Sequence, residues 1–329
     1  MQEQRIVIVG GVAGGASAAA RARRLSETAT ITMFERGENI SFANCGLPYH
    51  IGGTIAERDQ LLVQTVEGMH RRYGVNVRTR TEVIRIDREA KKIVARNLVS
   101  GEQYEEPYDT LILSPGASPI HPPLPGTDLE GVYTLRNMTD MDAIIAGLDE
   151  AADEGAVIVG GGYIGLEMAE AFRKRGIDVT LVELADQVFS AADPEMVEPL
   201  HQQLRMHGIK LRLGTSLKAI EQHHENLKVQ LSQGNPVDCG VVILAIGVRP
   251  EVTLVREAGL AVSERGGIVV DDHMRTSDPS IYAIGDAAEV SHLVDGRKAL
   301  IPLAGPANRQ GRIAADNAFG GDSVYKASQ

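Results

Sequence analysis

The sequence predicts an α/β protein with two Rossmann-like dinucleotide-binding domains, one of them discontinuous and the other inserted into it. Three observations lead there. The apolar run Val7-Ile8-Val9 enters the turn Gly10-Gly11, and the pattern returns 150 positions later as Val157-Ile158-Val159-Gly160-Gly161. Each copy is a short apolar strand of the kind buried in a parallel sheet, and a helical pattern follows its turn. Each then reaches a second apolar strand ending in an acid: Ile31-Thr32-Met33-Phe34-Glu35 and Val179-Thr180-Leu181-Val182-Glu183. Two such βαβ units in one chain imply two nucleotide sites.

Between the units, residues 75–109 are polar and rich in strand patterns such as Val75-Asn76-Val77-Arg78. A buried strand, Thr110-Leu111-Ile112-Leu113, then leads into Ser114-Pro115-Gly116. The proline-rich residues 119–126 predict a domain crossing, and Gly247-Val248-Arg249-Pro250 a second. A further strand is expected over 267–270, followed by Ile281-Tyr282-Ala283-Ile284-Gly285-Asp286. The expected boundaries are 1–117 and 249–329 for the split domain and 118–248 for the inserted one.

Composition limits the function classes. At 329 residues, with 43% hydrophobic and 23% charged residues, the chain has the profile of a soluble two-domain protein. Its 33 Lys and Arg against 44 Asp and Glu leave a net charge of −11, which argues against a broad nucleic-acid-binding surface. A local basic patch for a phosphorylated ligand stays open. No apolar run reaches the roughly 18 residues of a membrane span, and the amino terminus lacks the form of a signal peptide. Two cysteines, Cys45 and Cys239, make no disulfide scaffold, so a reducing, cytoplasmic location is expected. His201, His207, His223 and His224 lack ligand-like spacing; they read as surface residues, and no metal is expected.

The second Gly-rich turn, Gly160-Gly161-Gly162-Tyr163-Ile164-Gly165, satisfies G-x-G-x-x-G in full. The glycines serve the tight turn, the approach of pyrophosphate and the packing of helix on sheet, while the helix start supplies amide donors. Glu183, 23 residues past Gly160, stands where a carboxylate takes the adenosine ribose hydroxyls, which favours NADH over NADPH. The first turn, Gly10-Gly11-Val12-Ala13-Gly14-Gly15, departs at Val12, but Glu35 restores the acid 25 residues past Gly10.

Cys45 lies in Ile40-Ser41-Phe42-Ala43-Asn44-Cys45-Gly46-Leu47-Pro48-Tyr49-His50, where Ser41 or Asn44 is a candidate helix cap. A helix start there holds a thiol near the positive end of the dipole. On these residues alone it reads either as an inert buried thiol or as a reactive one. Ser17, Arg21 and Arg24 form one stripe of the first helix, while Ala18, Ala22 and Leu25 form another suited to the sheet. The basic stripe is either a solvated face or an anion site.

Residues 10–25 and 41–49 resemble the coenzyme A disulfide reductase group, the single-cysteine branch of the FAD-dependent pyridine nucleotide–disulfide oxidoreductases. That group includes rhodanese-fused persulfide and polysulfide reductases. Residues 276–286 resemble its second flavin fingerprint, in which Asp286 holds the ribityl chain, and Ser114-Pro115-Gly116 resembles its shorter motif. The resemblance implies FAD at Gly10, Gly11, Ala13, Gly14, Gly15, Glu35, Gly285 and Asp286, with Ser114, Pro115 and Gly116. It implies NADH, with NADPH second, at Gly160, Gly162, Gly165 and Glu183. It extends the cofactor contacts to Arg36, Asn44, Val83, Tyr163, Ile164, Gly247, Pro302, Leu303 and Ala304.

Coenzyme A, as substrate or as a mixed disulfide on the catalytic Cys45, is assigned to Ser17, Arg21, Arg24, Ser41, Asn44 and Asn308, with Arg309 beside the last. Arg71, Arg72 and Tyr73 are assigned to its nucleotide end. Dithiol members carry a second cysteine where His50 stands, so an internal disulfide is excluded there. Peroxidase and oxidase members carry a histidine where Ala13 stands, which weakens that reading. The implied activity is reduction of coenzyme A disulfide, persulfide or polysulfide. The alternatives are an NADH oxidase or peroxidase and a catalytically incomplete flavin and nucleotide binder. Family members continue into an interface domain that builds a homodimer, and that domain is expected to be absent from residues 1–329.

Overall fold

The structure, a computed structural model, describes residues 4–151 and 154–328. The chain divides into two compact units. One gathers Met1–Phe42, Leu62–Ser118 and Arg249–Gln329; the other gathers Ala43–Leu61 and Pro119–Val248. The short segment carrying Cys45 thus groups with the second unit, whereas the expected boundary at 117 put it with the first.

The first unit holds a five-stranded parallel sheet in the order Ile281–Ala283, Thr110–Leu113, Arg5–Val9, Thr30–Phe34 and Asn76–Arg78. Ile6, Ile8, Ile31 and Ile112 are fully buried, as strands covered on both faces require. Each such side chain contributes about 1.5–3 kcal/mol. The helix Ala13–Leu25 buries Ala18, Ala19 and Ala22 completely, while Leu25, expected on that face, is 40% exposed at the helix end. A second helix, Ala304–Ala318, crosses it closely: a Cβ on Gly311 would lie 2.4 Å from the Gly14 carbonyl oxygen. An antiparallel meander of Thr81–Asp87, Lys92–Asn97 and Gln103–Pro107 accounts for the polar, strand-rich stretch. The strand expected over 267–270 is only Ile268–Val269.

The second unit repeats this plan. Its parallel sheet runs Lys210–Arg212, Val179–Val182, Ala156–Val159, Val241–Leu244 and Val132–Tyr133. Its meander is Leu217–His223, Asn226–Leu231 and Val237–Cys239. Among the described residues, the helices Met138–Ala151, Tyr163–Lys174 and Pro194–Met206 belong to it, with the short Leu47–Ile51. Among the described residues no helix is long and apolar enough to cross a membrane, and no group of three or more His, Cys, Asp or Glu is arranged to hold a metal.

Two candidate dinucleotide sites and a cysteine segment

In the first unit the turn after Arg5–Val9 is closed by the chain itself. Gly10 takes φ +96°, and a Cβ there would sit 2.0 Å from the Ser114 carbonyl oxygen, so only glycine fits. A Cβ on Gly15 would lie 1.8 Å from the Gly10 oxygen, which fixes how tightly the helix Ala13–Leu25 meets the strand. The Gly11 amide donates to Glu35 Oε2 at 2.8 Å and the Gly37 amide to Glu35 Oε1 at 2.8 Å. Glu35 is therefore fixed at the strand end where a ribose diol is expected, and Arg36 beside it is exposed.

Ser114 joins the turn through its amide to Val9 oxygen at 2.8 Å, ahead of Pro115 and of Gly116 at φ +73°. Gly285, at φ +76°, donates its amide to Gln310 Oε1 at 2.7 Å, so the turn Gly285–Ala287 that carries Asp286 is anchored from the helix Ala304–Ala318. Gln310 is buried and was not anticipated; its signal is a lone amide among the small residues Ala307, Gly311 and Ala314 on one helix face. Pro302, Leu303 and Ala304 are exposed at the start of that helix, and Val83 is buried in the meander.

The second unit builds the same closure around residues 160–165. A Cβ on Gly160, at φ +111°, would meet the Ala245 oxygen at 2.3 Å, and one on Gly165 the Gly160 oxygen at 1.9 Å. The Gly161 amide donates to Glu183 Oε2 at 2.6 Å and the Ala185 amide to Oε1 at 2.8 Å. Gly162 caps the helix Tyr163–Lys174, and a Cβ there would meet nothing within 4 Å. Neither crowding nor a positive φ demands that glycine, and the space in front of it is open to a ligand. Tyr163 is exposed and stands edge-on to Phe189 at 4.8 Å; Ile164 is half-buried. Gly247, at φ +112°, accepts from the Ile120 amide at 3.0 Å. The residues present in both units therefore fit dinucleotides.

Cys45 is exposed and disulfide-free in a 3-10 turn, Asn44–Gly46, that leads into the short helix Leu47–Ile51. The expected side-chain cap is not made. Ser41 adopts φ +47° and offers its carbonyl to the Val63 and Gln64 amides, while Asn44 Nδ2 donates to the Arg136 carbonyl at 3.3 Å. A Cβ on Gly46 would lie 2.5 Å from Leu61, which packs beneath the turn.

Long-range contacts fasten the segment within its unit. Arg58 forks onto Asp142 at 2.8–3.1 Å, and Arg175, itself paired with Asp149, donates to the Ile51 carbonyl at 3.3 Å. His50 turns its Nδ1 to the Ile55 carbonyl at 2.7 Å. Glu167, half-buried on the facing helix, has its carboxyl raised by burial and by Glu170; nothing in the sequence pattern singled it out. Cys239 is buried in the meander, which pushes its thiol up to about 12 and leaves it inert.

The residues expected to hold coenzyme A come together in part. Ser17 donates to Asn308 Oδ1 at 2.9 Å, and Arg21 pairs with Asp316 at 2.6 Å, so this stripe is partnered and not simply solvated. Arg24 and Arg72 both place guanidinium groups over Tyr73, at 5.9 and 5.3 Å, as a basic and aromatic cluster; Arg71 is exposed beside them. Arg309 lies over Tyr325 at 5.7 Å. Ser41 belongs to the first unit and Asn44 to the second. His207, His223 and His224 are exposed as expected, but His201 is buried at 5%, because it faces inward with Val197 and Leu204.

The family model of the pyridine nucleotide-disulphide oxidoreductases matches residues 4–311. The chain belongs to that family. An NADH oxidase of Methanocaldococcus jannaschii is 35% identical over 322 residues, and a coenzyme A disulfide reductase of Staphylococcus haemolyticus is 34% identical over 321. Each alignment covers 98% of this chain and 71% of the relative. A solved structure of reduced CoADR-RHD from Bacillus anthracis matches with a TM-score of 0.96 and 50% identity, over all of this chain and 59% of that one. This oxidoreductase family thus accounts for the two nucleotide folds, and the chain spans under two thirds of the solved protein.

Proposed function

We propose that the chain is the flavin- and NADH-binding core of a reductase that acts on coenzyme A disulfide, or on a coenzyme A persulfide or polysulfide, through Cys45. One observation carries this reading: an exposed, unpaired Cys45, with a histidine where a second redox thiol would stand, in a chain that has both dinucleotide turns. The first unit takes FAD between residues 10–15, Glu35 and the Gly285–Ala287 turn; the second takes NADH at residues 160–165 and Glu183. When bound, FAD supplies the two-electron link between NADH and a disulfide.

The chain's own part is thiol chemistry. The Cys45 thiolate attacks one sulfur of the substrate disulfide, an S–S bond forms as another breaks, and one coenzyme A leaves as thiolate. The mixed disulfide on Cys45 then takes two electrons and a proton, returning the Cys45 thiolate and a second coenzyme A thiol. Ser17, Asn308, Arg21, Arg24 and Arg72 supply the hydroxyl, amide and guanidinium donors that a nucleotide phosphate requires, with Tyr73 as a stacking face. The protein works in the cytoplasm, and its full-length form is a homodimer.

Mass spectrometry of the protein before and after reductant tests the reading. The expected result is a coenzyme A adduct on Cys45 that reductant removes, with disulfide-dependent NADH consumption abolished in Cys45→Ser. A bare thiol and an unaffected Cys45→Ser variant would reduce the chain to a nucleotide binder. The M. jannaschii relative favours a second reading, an NADH oxidase. Fast oxygen uptake with NADH that needs Cys45 and ignores added disulfide distinguishes it.

A further inference from the structure

We propose that His201 is a positioning residue for the pyridine-nucleotide turn: its imidazole holds residues 160–165 in their binding shape through the backbone of Val188 and Phe189. This rests on the reading that the second unit takes NADH. The histidine lies on the inner face of Pro194–Met206, 5% exposed, with Nε2 accepting the buried Val188 amide at 3.2 Å. Its Nδ1 faces Glu198 Oε2, also at 3.2 Å, which fixes the tautomer with the proton on Nδ1 and the lone pair on Nε2. Glu198 is shared with Arg205 at 3.6 Å.

What the imidazole holds lies against the nucleotide turn. Val188 packs on Gly161 so closely that a Cβ on the glycine would be 2.9 Å from its Cγ1. The next residue, Phe189, is at φ +49°, a left-handed conformation that a bulky side chain adopts only under constraint, and its amide donates to the Gly161 carbonyl at 2.8 Å. Gly161 is thereby gripped twice, through its carbonyl by Phe189 and through its amide by Glu183 at 2.6 Å. Without the Nε2 acceptor the Val188 amide is a buried, unpaired donor next to the strained Phe189, whose neighbour is then no longer held. A histidine that merely filled the core would need neither an acceptor at Nε2 nor a fixed tautomer.

NADH fluorescence titration of the full chain, with His201→Gln and His201→Asn, separates the two roles. The glutamine carbonyl reaches the Nε2 position and can accept from Val188, whereas asparagine ends at the Nδ1 position. His201→Asn is expected to bind NADH about tenfold more weakly and His201→Gln within about twofold of the parent, the loss expected for one buried donor left unpaired. In rapid reduction of bound flavin, the asparagine variant should need more NADH for half-saturation at an unchanged limiting rate. Glu198→Lys, on the exposed side, donates to Nδ1 and so forces the proton onto Nε2; it should weaken NADH binding without touching the core. Parental affinity in His201→Asn and Glu198→Lys, or glutamine as poor as asparagine, overturns the proposal. A parent chain that binds no NADH overturns the reading beneath it, and the proposal with it.

Discussion

The two units solve one problem twice, and almost bond for bond. Gly10 and Gly160 each sit against a carbonyl of the neighbouring strand's end, Ser114 or Ala245, at a positive φ. Gly11 and Gly161 each donate to the acid ending the second strand, at 2.8 and 2.6 Å. That acid's own amide is held by Arg78 in one unit and Arg212 in the other, both at 2.9 Å. The halves part at three positions of the turn, where Val12, Ala13 and Gly14 in the first correspond to Gly162, Tyr163 and Ile164 in the second.

A Cβ on Gly14 would press on Ser114 and Ile284, and the Gly14 carbonyl is in turn approached by Gly311. Gly14 is thus required by protein packing, since a long helix crosses there. Gly162 has open space in front of it, so packing does not require it, and the proposed NADH is what would. The difference teaches that glycines in a dinucleotide turn divide into those that packing requires and those it leaves free, and the sequence motif does not separate them.

The sharpest way to break the comparison is to add a methyl at the shared first glycine. Gly10→Ala puts a Cβ at 2.0 Å from the Ser114 oxygen and Gly160→Ala at 2.3 Å from the Ala245 oxygen, each at a φ where L residues are strained. Each is expected to cost on the order of 3 kcal/mol. If each turn serves its own nucleotide, Gly10→Ala empties the protein of FAD while NADH still binds, and Gly160→Ala does the reverse. Absorbance of the purified variants and NADH titration read this out, and simultaneous loss of both ligands in either variant would sink the idea of two separable sites.

A smaller effect sharpens the contrast in what covers each nucleotide helix. In the first unit Gly311 meets backbone on Gly14 at 2.4 Å, so Gly311→Ala should destabilise by about 2 kcal/mol through overpacking. In the second, Gly52 meets Ala171 at 3.0 Å near the end of a short helix, so Gly52→Ala should cost less, about 1 kcal/mol. It should also loosen the segment that carries Cys45. Thermal unfolding gives the first comparison, and the rate of Cys45 alkylation by a neutral maleimide gives the second. Faster alkylation is expected in Gly52→Ala only.

These contrasts also explain what was readable in advance. Both strand–turn–helix units and both acids were legible because the βαβ motif is local: Gly10 and Glu35, or Gly160 and Glu183, lie within one stretch of chain. The cap on the cysteine turn was misjudged because Asn44 is engaged by Arg136, far along the sequence. The burial of His201 goes with its spacing from Val197 and Leu204, but its partner Val188 was not visible, and neither was the bond from Arg58 to Asp142 that ties Ala43–Leu61 to its unit. Gln310 was hidden for the same reason, since its partner is Gly285. Each of these partners is joined by a pairing that no periodicity encodes.

The mildest test uses a pair that only one unit has. The first strand begins with Arg5 forking onto Asp109, at 2.9 and 3.2 Å, beside the backbone bond from the Asp109 amide to the Arg5 oxygen at 2.9 Å. The second unit keeps that backbone bond, from Gly240 to Gly155 at 3.0 Å, but has glycines in place of both charged residues. Hydrogen bonding to Arg5 holds the Asp109 carboxyl below its ordinary value. A carboxyl depressed in the folded state adds stability that is complete above its unfolded pKa of about 3.9 and is lost as pH falls through the lower folded value. Both side chains are more than a third exposed, so solvent screening keeps the contribution under about 1 kcal/mol. Asp109→Asn should therefore melt slightly earlier than the parent at neutral pH, and the gap should close below about pH 3.9 as the parent's own carboxyl protonates. A gap that persists unchanged into acid would mean that Asp109 acts through its shape and backbone bond alone, leaving the two strand starts equivalent despite their different residues.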